Sequence, residues 1–330
     1  MKTEEMLGLY HREIPAFLGP FLETPELRRL ENVGMNCGCE YTAFPRFRGL
    51  PTFSRRDHSL GTALIVWHFT GDRVQTLAAL FHDIATPPFA HAVDFLRGDY
   101  LRQEATEDGT GELLRRSAYI GALLGELGIA TEQVEDYHRY PIADNDTPRL
   151  SADRLEYTLG NLLAFGFCSR GEVRAMYQAL SVAEAEDGAP ELAFADEATA
   201  LAFGYGALRC SRIYVSDVDR YAMQRLAELL GAAVSKGVLT PADFGGTEPE
   251  VIARLKGDER TCALWEAFCA LHEMVYDCVP PGQGRVIPAK KRYIDPLVAG
   301  KRRLSQCSAD FRREMEDFLQ TPQDSVLYGR

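Results

Sequence analysis

Nowhere in its 330 residues does this chain hold an apolar run approaching the about 20 needed to cross a bilayer, which excludes a helical membrane protein. It also lacks an excess of positive charge. Lys and Arg number 36 against 48 Asp and Glu, a formal net charge of -12, which argues against a broad electrostatic footprint for nucleic acid and leaves room only for a local basic pocket. The opening segment, MKTEEMLGLYHREIPAF, has neither the basic start nor the continuous apolar stretch of a signal peptide, so cytoplasmic residence is the expectation. Cysteine is neither dense nor paired. Cys37, Cys39, Cys168, Cys210, Cys262, Cys269, Cys278 and Cys307 are scattered over a chain too large to need staples, which suits reduced thiols. Only Cys37 and Cys39 are close, and two thiols without a second pair make a weak metal signal, so they are assigned no role. Alternating strand patterns are almost absent as well.

What remains is helical periodicity along nearly the whole chain, and 46% hydrophobic residues to bury a core as one large domain or a domain plus a lobe. The fold class expected is all-α: a helical bundle over residues 1–185, with a further C-terminal helical region over 186–330 packed on it as one continuous domain. Helices are expected at Asp57 to Thr70, at VQTLAALFHD, at FAHAVDFL, and at Thr110 to Leu127, Ser151 to Phe167 and Gly171 to Ala185. A long one is expected from about Asp196 to Lys236. Gly71-Asp72 stops the first, and Pro87 pushes Thr86 out of α geometry, so the second ends just after His82-Asp83. The polar, glycine-bearing stretch Arg97 to Gly111 reads as a mobile loop.

Four residues gather the chemistry: His58 near the start of one helix, His82 and Asp83 at the end of the next, and Asp153 at the head of a later one. Neighbours on an α-helix point about 100° apart, so His82 and Asp83 can share an ion only where their helix stops. Two imidazoles and two carboxylates make a mixed nitrogen and oxygen site for one divalent metal ion, suited to Mn, Fe, Ni, Zn or Mg and poorly matched to calcium. His11, His68, His138 and His272 read as packed or solvent-facing.

The stretches PELRRLENVG, FSRRDHSLGTA, FHDIATPPFAH and SADRLEYTLGN together resemble the HD-domain superfamily, and within it the deoxynucleotide triphosphohydrolases, over roughly residues 20 to 165. The resemblance implies an HD-domain helical bundle and metal ligation by His58, His82, Asp83 and Asp153. It implies that Arg55 and His91 face the nucleotide phosphates, that Asp94 lies beside them and that Tyr157 packs on the sugar. Tyr214 matches a base-contacting aromatic. Asp94 and His91 are three apart on one helix, so the carboxylate can orient the imidazole.

Against this pattern the chain departs at several positions. Thr86 stands where a histidine is expected to protonate the leaving group, and threonine cannot do so near neutral pH. Gln103 replaces a second histidine but keeps Glu104 beside it. The resemblance implies a Gln-Leu pair that helps read the nucleotide where Met35-Asn36 stand, an aspartate on the sugar hydroxyl where Asn161 stands, and a phosphate-binding arginine where Gly206 stands. The expectation is therefore a metal-dependent phosphohydrolase acting on a nucleotide or related small phosphate ester, with Asp94, His91 and Glu104 as its catalytic residues and Glu104, Asp94 or a water in the place of the missing acid. The alternative is a catalytically weak regulatory protein that binds metal and nucleotide. The basic runs Lys290-Lys291-Arg292 and Lys301-Arg302-Arg303 read as solvated helix faces, with a basic pocket opposite the metal as the competing reading. A homodimer is expected by analogy.

Overall fold

Short-range capping signals start and stop the helices that matter. Ser54 opens the helix Arg55–Thr70 as a capping box: its hydroxyl accepts from the Asp57 N–H at 3.2 Å, and Asp57 accepts from the Ser54 N–H at 3.0 Å. Gly71 ends that helix in the left-handed region at φ 63°, and Asp72 at once caps the next, Arg73–Phe81. The helix Ala152–Ala164 begins at Ser151, whose hydroxyl accepts from the Arg154 N–H at 3.2 Å. In this computed structural model, which describes residues 3–51, 53–98, 109–277, 279–298, 300 and 302–330, these three helices pack on one another with Arg55–Thr70 in the middle. Gln103, Glu104 and most of the expected loop lie outside the described residues.

The described residues form 16 α-helices and six short strands, so the fold is helical. Several boundaries differ from expectation, each for a local reason. The stretch Thr110 to Leu127 is two helices, Thr110–Arg116 and Ala118–Glu126, because Ser117 turns extended and caps the second by accepting from the Ile120 N–H. The long helix is likewise two, Glu197–Tyr214 and Asp217–Ser235, restarted at the Ser216 cap. The helix beginning near Gly171 ends at Gln178, and Leu180–Glu184 runs on as a strand antiparallel to Pro190–Phe194. That hairpin joins Leu297–Val298 and Arg302–Arg303 in a four-stranded sheet. FAHAVDFL does not start at Phe89. Phe89 and Ala90 have φ of 64° and 43°, which no right-handed helix contains, and the helix begins at Ala92.

Two hydrophobic clusters form the interior, and neither respects a boundary at residue 185. One joins Leu64, Leu80 and Leu159 to Phe203 and Phe311, and the other joins Phe44 and Phe89 to Leu226 and Trp265. Polar struts complete the join. Glu248 accepts from Tyr41 Oη at 2.7 Å and from the Gly34 and Phe89 N–H groups at 2.8 and 3.3 Å, which supports the left-handed turn before His91. Arg303, buried, pairs with Glu191 at 2.6 Å and Glu186 at 2.6 Å.

Arg29 gives the PELRRL stretch its purpose. Its guanidinium donates to the Ile84 and Thr86 carbonyls at 2.9 and 2.8 Å and to the Gly246 carbonyl at 2.9 Å, tying the turn after His82-Asp83 to a distant loop. Arg28 beside it faces solvent, its side chain 59% exposed. Arg29→Met is therefore expected to cost about 2–3 kcal/mol in urea unfolding, because it leaves buried carbonyls without a donor. Arg28→Met should change stability by less than about 0.5 kcal/mol.

Candidate metal centre

The helix Arg73–Phe81 ends one residue before the doublet, and His82 and Asp83 leave it in a turn closed by the Ile84 N–H donating to the Phe81 carbonyl at 3.0 Å. The turn lets both side chains face His58 and Asp153. His58 Nε2 lies 3.2 Å from His82 Nε2, 3.0 Å from Asp153 Oδ1 and 3.8 Å from Asp83 Oδ2. His82 Nε2 lies 3.5 Å from Asp83 Oδ2 and 3.6 Å from Asp153 Oδ1. Ligands about 2.1 Å from one ion stand about 3.0 Å apart at right angles and about 3.4 Å apart in a tetrahedron. The ligand atoms of His58, His82 and Asp83 all lie within 4.8 Å of one another and fit one cation, while Asp153 approaches both imidazoles but stands outside that mutual set. His58, His82 and Asp83 are buried, whereas the Asp153 side chain is 21% exposed and opens to a cavity.

The rings are fixed in the tautomer a metal requires. His82 Nδ1 donates to the Ala79 carbonyl at 2.7 Å, and His58 Nδ1 meets Glu156 Oε2 at 2.5 Å, so each Nε2 is turned toward the two carboxylates. Glu156, fully buried and also bonded by Tyr10 Oη at 3.2 Å, is a site residue that sequence reasoning passed over. Its signal was its place three residues after Asp153, on the same helix face. Gly61 makes room for it: a Cβ there would lie 2.7 Å from a Glu156 carboxylate oxygen, which explains the glycine of HSLG.

Electrostatics point the same way. Burial by itself would raise Asp83, but Arg55, then His82 and His58, hold its carboxyl well below the usual range. Burial would lower His58, but Asp153 and Glu156 outweigh it and push its pKa up to about 10. The surrounding carboxylates thus favour positive charge at this point, which a bound divalent ion would supply.

The remaining expected residues are distributed unequally. Arg55 is buried and its Nη1 donates to Asp83 Oδ2 at 2.7 Å, so its charge is committed to a ligand carboxylate rather than turned wholly to the cavity. Thr86, fully buried, donates its hydroxyl to Asp83 Oδ1 at 2.8 Å. It supports a ligand and does not reach over the cavity. His91 lines the cavity with Nδ1 2.8 Å from Asp94 Oδ2, while Asp94 is fully buried and reaches a ligand only through His91. Tyr157 and Tyr214 stand edge to face at 6.3 Å on the cavity wall, and Asn161 Nδ2 donates to Tyr214 Oη at 2.7 Å. Gly206 is packed on Leu162, whose Cδ2 would lie 2.7 Å from a Cβ, so the arginine of the resemblance has no space there.

The cavity is about 670 Å³. His138 is on its wall and not merely at the surface: Nδ1 meets Asp144 Oδ2 at 3.0 Å, and the Tyr137 ring stands between it and His82, at 4.4 and 5.1 Å. His11, His68 and His272 are packed or solvent-facing. Cys37 lines the cavity, and Cys39 is buried with its Sγ 3.9 Å from Asp219.

Two substitutions test the centre. Asp153→Ala is expected to abolish stoichiometric metal binding, and Glu156→Gln, which keeps the shape but weakens the grip on His58, to lower affinity about tenfold to a hundredfold, measured by competition with a chelator. Unchanged affinity in both would remove the metal assignment.

No protein-family model matches the chain. It is 23% identical over 300 residues, 84% of its length and 79% of the relative's, to "Metal-dependent phosphohydrolase cns2" of Cordyceps militaris. It is 23% identical over 207 residues to "Uncharacterized protein YdhJ" of Bacillus subtilis, an alignment that spans 62% of each chain. Among solved structures, a phosphohydrolase from Bacteroides thetaiotaomicron superposes with a TM-score of 0.66 over 96% of both chains at 15% identity. A hypothetical protein from Aquifex aeolicus superposes with a TM-score of 0.63 over 96% of this chain and 92% of that one at 16% identity. The helical fold is thus shared with solved proteins of little sequence similarity, one of them a phosphohydrolase.

Proposed function

We propose that this chain is a metal-dependent phosphohydrolase of the HD type, acting on a nucleotide or a related small phosphate ester. The observation that carries the reading is the pair of imidazoles, each pinned at Nδ1 and presenting Nε2 to two carboxylates at the edge of a cavity. The names of a sequence relative and a structural neighbour support it. His58, His82, Asp83 and Asp153 would hold the ion, which when bound supplies the positive charge that polarises a phosphoryl oxygen and acidifies a water.

The chain's own groups do the rest. Arg55 and Thr86 hold Asp83 ionised and aimed. His91 donates Nδ1–H to Asp94, and its Nε2, once protonated, is the group that gives a proton to the departing oxygen, with the Asp94 carboxylate stabilising the imidazolium. Burial lowers the pKa of His91, and Arg292 and Arg55 act in the same direction against Asp94, so a proton on it is held weakly and transferred readily. Tyr157 and Tyr214 offer aromatic faces to a base or an aryl group.

A second reading, a regulatory protein that binds metal and nucleotide with weak turnover, is favoured by one observation: Thr86 spends its hydroxyl on Asp83 and offers no acid. Steady-state kinetics of the Mn-loaded protein separate the two. An aryl phosphate should be hydrolysed at a measurable rate and a deoxynucleoside triphosphate poorly, and His91→Ala should lower kcat on an ester with a poor leaving group by about a hundredfold or more. Thr86→His should not create triphosphatase activity, because the larger ring displaces Asp83. Tight nucleotide binding with no turnover on any ester would favour the regulatory reading.

A further inference from the structure

Three cations stand in a row at Lys290, Lys291 and Arg292, and the fold spends them differently. The segment is not helical, contrary to the solvated helix face expected for it. Lys291 turns away from the cavity and donates Nζ to the Phe318 and Leu319 carbonyls at 2.9 and 2.6 Å, which fastens the segment to the end of the helix Ala309–Gln320. The residues on either side of it, Lys290 and Arg292, line the cavity. Arg292 Nη2 lies 3.3 Å from His91 Nε2, the ring nitrogen opposite the one that meets Asp94. With Nδ1–H donated to Asp94, that Nε2 is an acceptor, and the guanidinium donates to it.

Arg55 also lines the cavity, but part of its charge is engaged by a carboxylate. It forms a close pair with Asp83, the two side chains only 7% and 6% exposed, and balances a metal-site carboxylate. Asp219 also lines the cavity, and burial pushes its pKa up to about 8. On a chain of net charge -12 an anion needs such a local cationic wall to enter at all.

We propose that Arg292 and Lys290 form the anion subsite of this cavity, binding the dianionic phosphate group of a small phosphorylated ligand beside His91, while Arg55 serves Asp83. An arriving phosphate oxygen takes the Arg292 donors from His91, and the guanidinium fork suits two such oxygens at once. Lys290, exposed at the rim, adds an attractive charge on the path inward. That the ligand is a substrate rests on the phosphohydrolase reading. That it is a phosphate does not.

The test is calorimetric titration of inorganic phosphate into the full chain, with and without Mn, for the wild type, Arg292→Gln, Lys290→Gln and Arg302→Gln. Arg302 is exposed on a short strand and does not line the cavity, so its variant removes the same charge elsewhere. Arg292→Gln is expected to weaken phosphate binding at least about tenfold and Lys290→Gln a few-fold, while Arg302→Gln stays within about twofold. Phosphate affinity unchanged in Arg292→Gln, an equal loss in Arg302→Gln, or no phosphate binding by the wild type would overturn the proposal. Circular dichroism checks folding. Should Arg292→Gln not fold, Lys290→Gln decides, and wild-type affinity there overturns the subsite. Failure of the hydrolase reading shows separately, as absent turnover in Mn while the phosphate titrations stand.

Discussion

Asp83 and Asp153 are held within a few ångströms of the same two imidazole nitrogens, and that crowding of negative charge at the edge of a helical core is the constraint the surrounding structure answers. Carboxylates removed from water must be compensated or protonated. Here compensation comes from every side: Arg55 and the Thr86 hydroxyl on Asp83, a raised pKa on His58, and Glu156 holding that ring from behind. Each of these partners is itself buried, so none can be withdrawn without leaving a polar group stranded.

The backbone around the centre is shaped to the same end. The helix carrying His82 stops at Phe81 so that consecutive side chains can point together, and Arg29 caps the turn that follows. Gly61 lets Glu156 come close to the His58 helix. The left-handed pair Phe89 and Ala90 costs backbone strain, offset by the burial of the Phe89 ring and by Glu248, and sets His91 at the head of its helix with Asp94 one turn on. A centre that can hold an ion and a wall that can hold an anion are thereby built on different segments, and they meet only in the folded cavity.

That division explains how the chain can keep the metal-site pattern of its HD resemblance while changing the groups around it. Gly206 is not an empty position: it is close packing against Leu162, and an arginine there would have to displace a core side chain. Thr86 is not simply a lost acid, since its hydroxyl completes the second oxygen of Asp83. The altered residues are built into the packing, which is the physical reason to treat them as a different arrangement of one pocket.

By itself the sequence determined the helical class, several helix ends and the four ligand candidates. Glycine stops and the Thr-Pro-Pro break act within a few residues of themselves, so Gly71 and the end of the doublet's helix could be read directly, and the order of His58, His82, Asp83 and Asp153 followed the motifs, whereas the helix expected from Asp57 begins at Arg55, after the Ser54 cap. The hairpin Leu180–Glu184 with Pro190–Phe194 escaped, because its stability comes from pairing and from the buried face of the second strand, and the first shows no clean alternation of burial. Only the tertiary structure decided that Arg55 pairs with Asp83, that His138 and Asp144 stand at the cavity, and that Lys290 and Arg292 come to it from near the far end of the chain while Lys291 does not. Contacts between residues tens to hundreds of positions apart depend on how buried surfaces dock, and a helical period specifies which face is apolar without saying which other face will cover it.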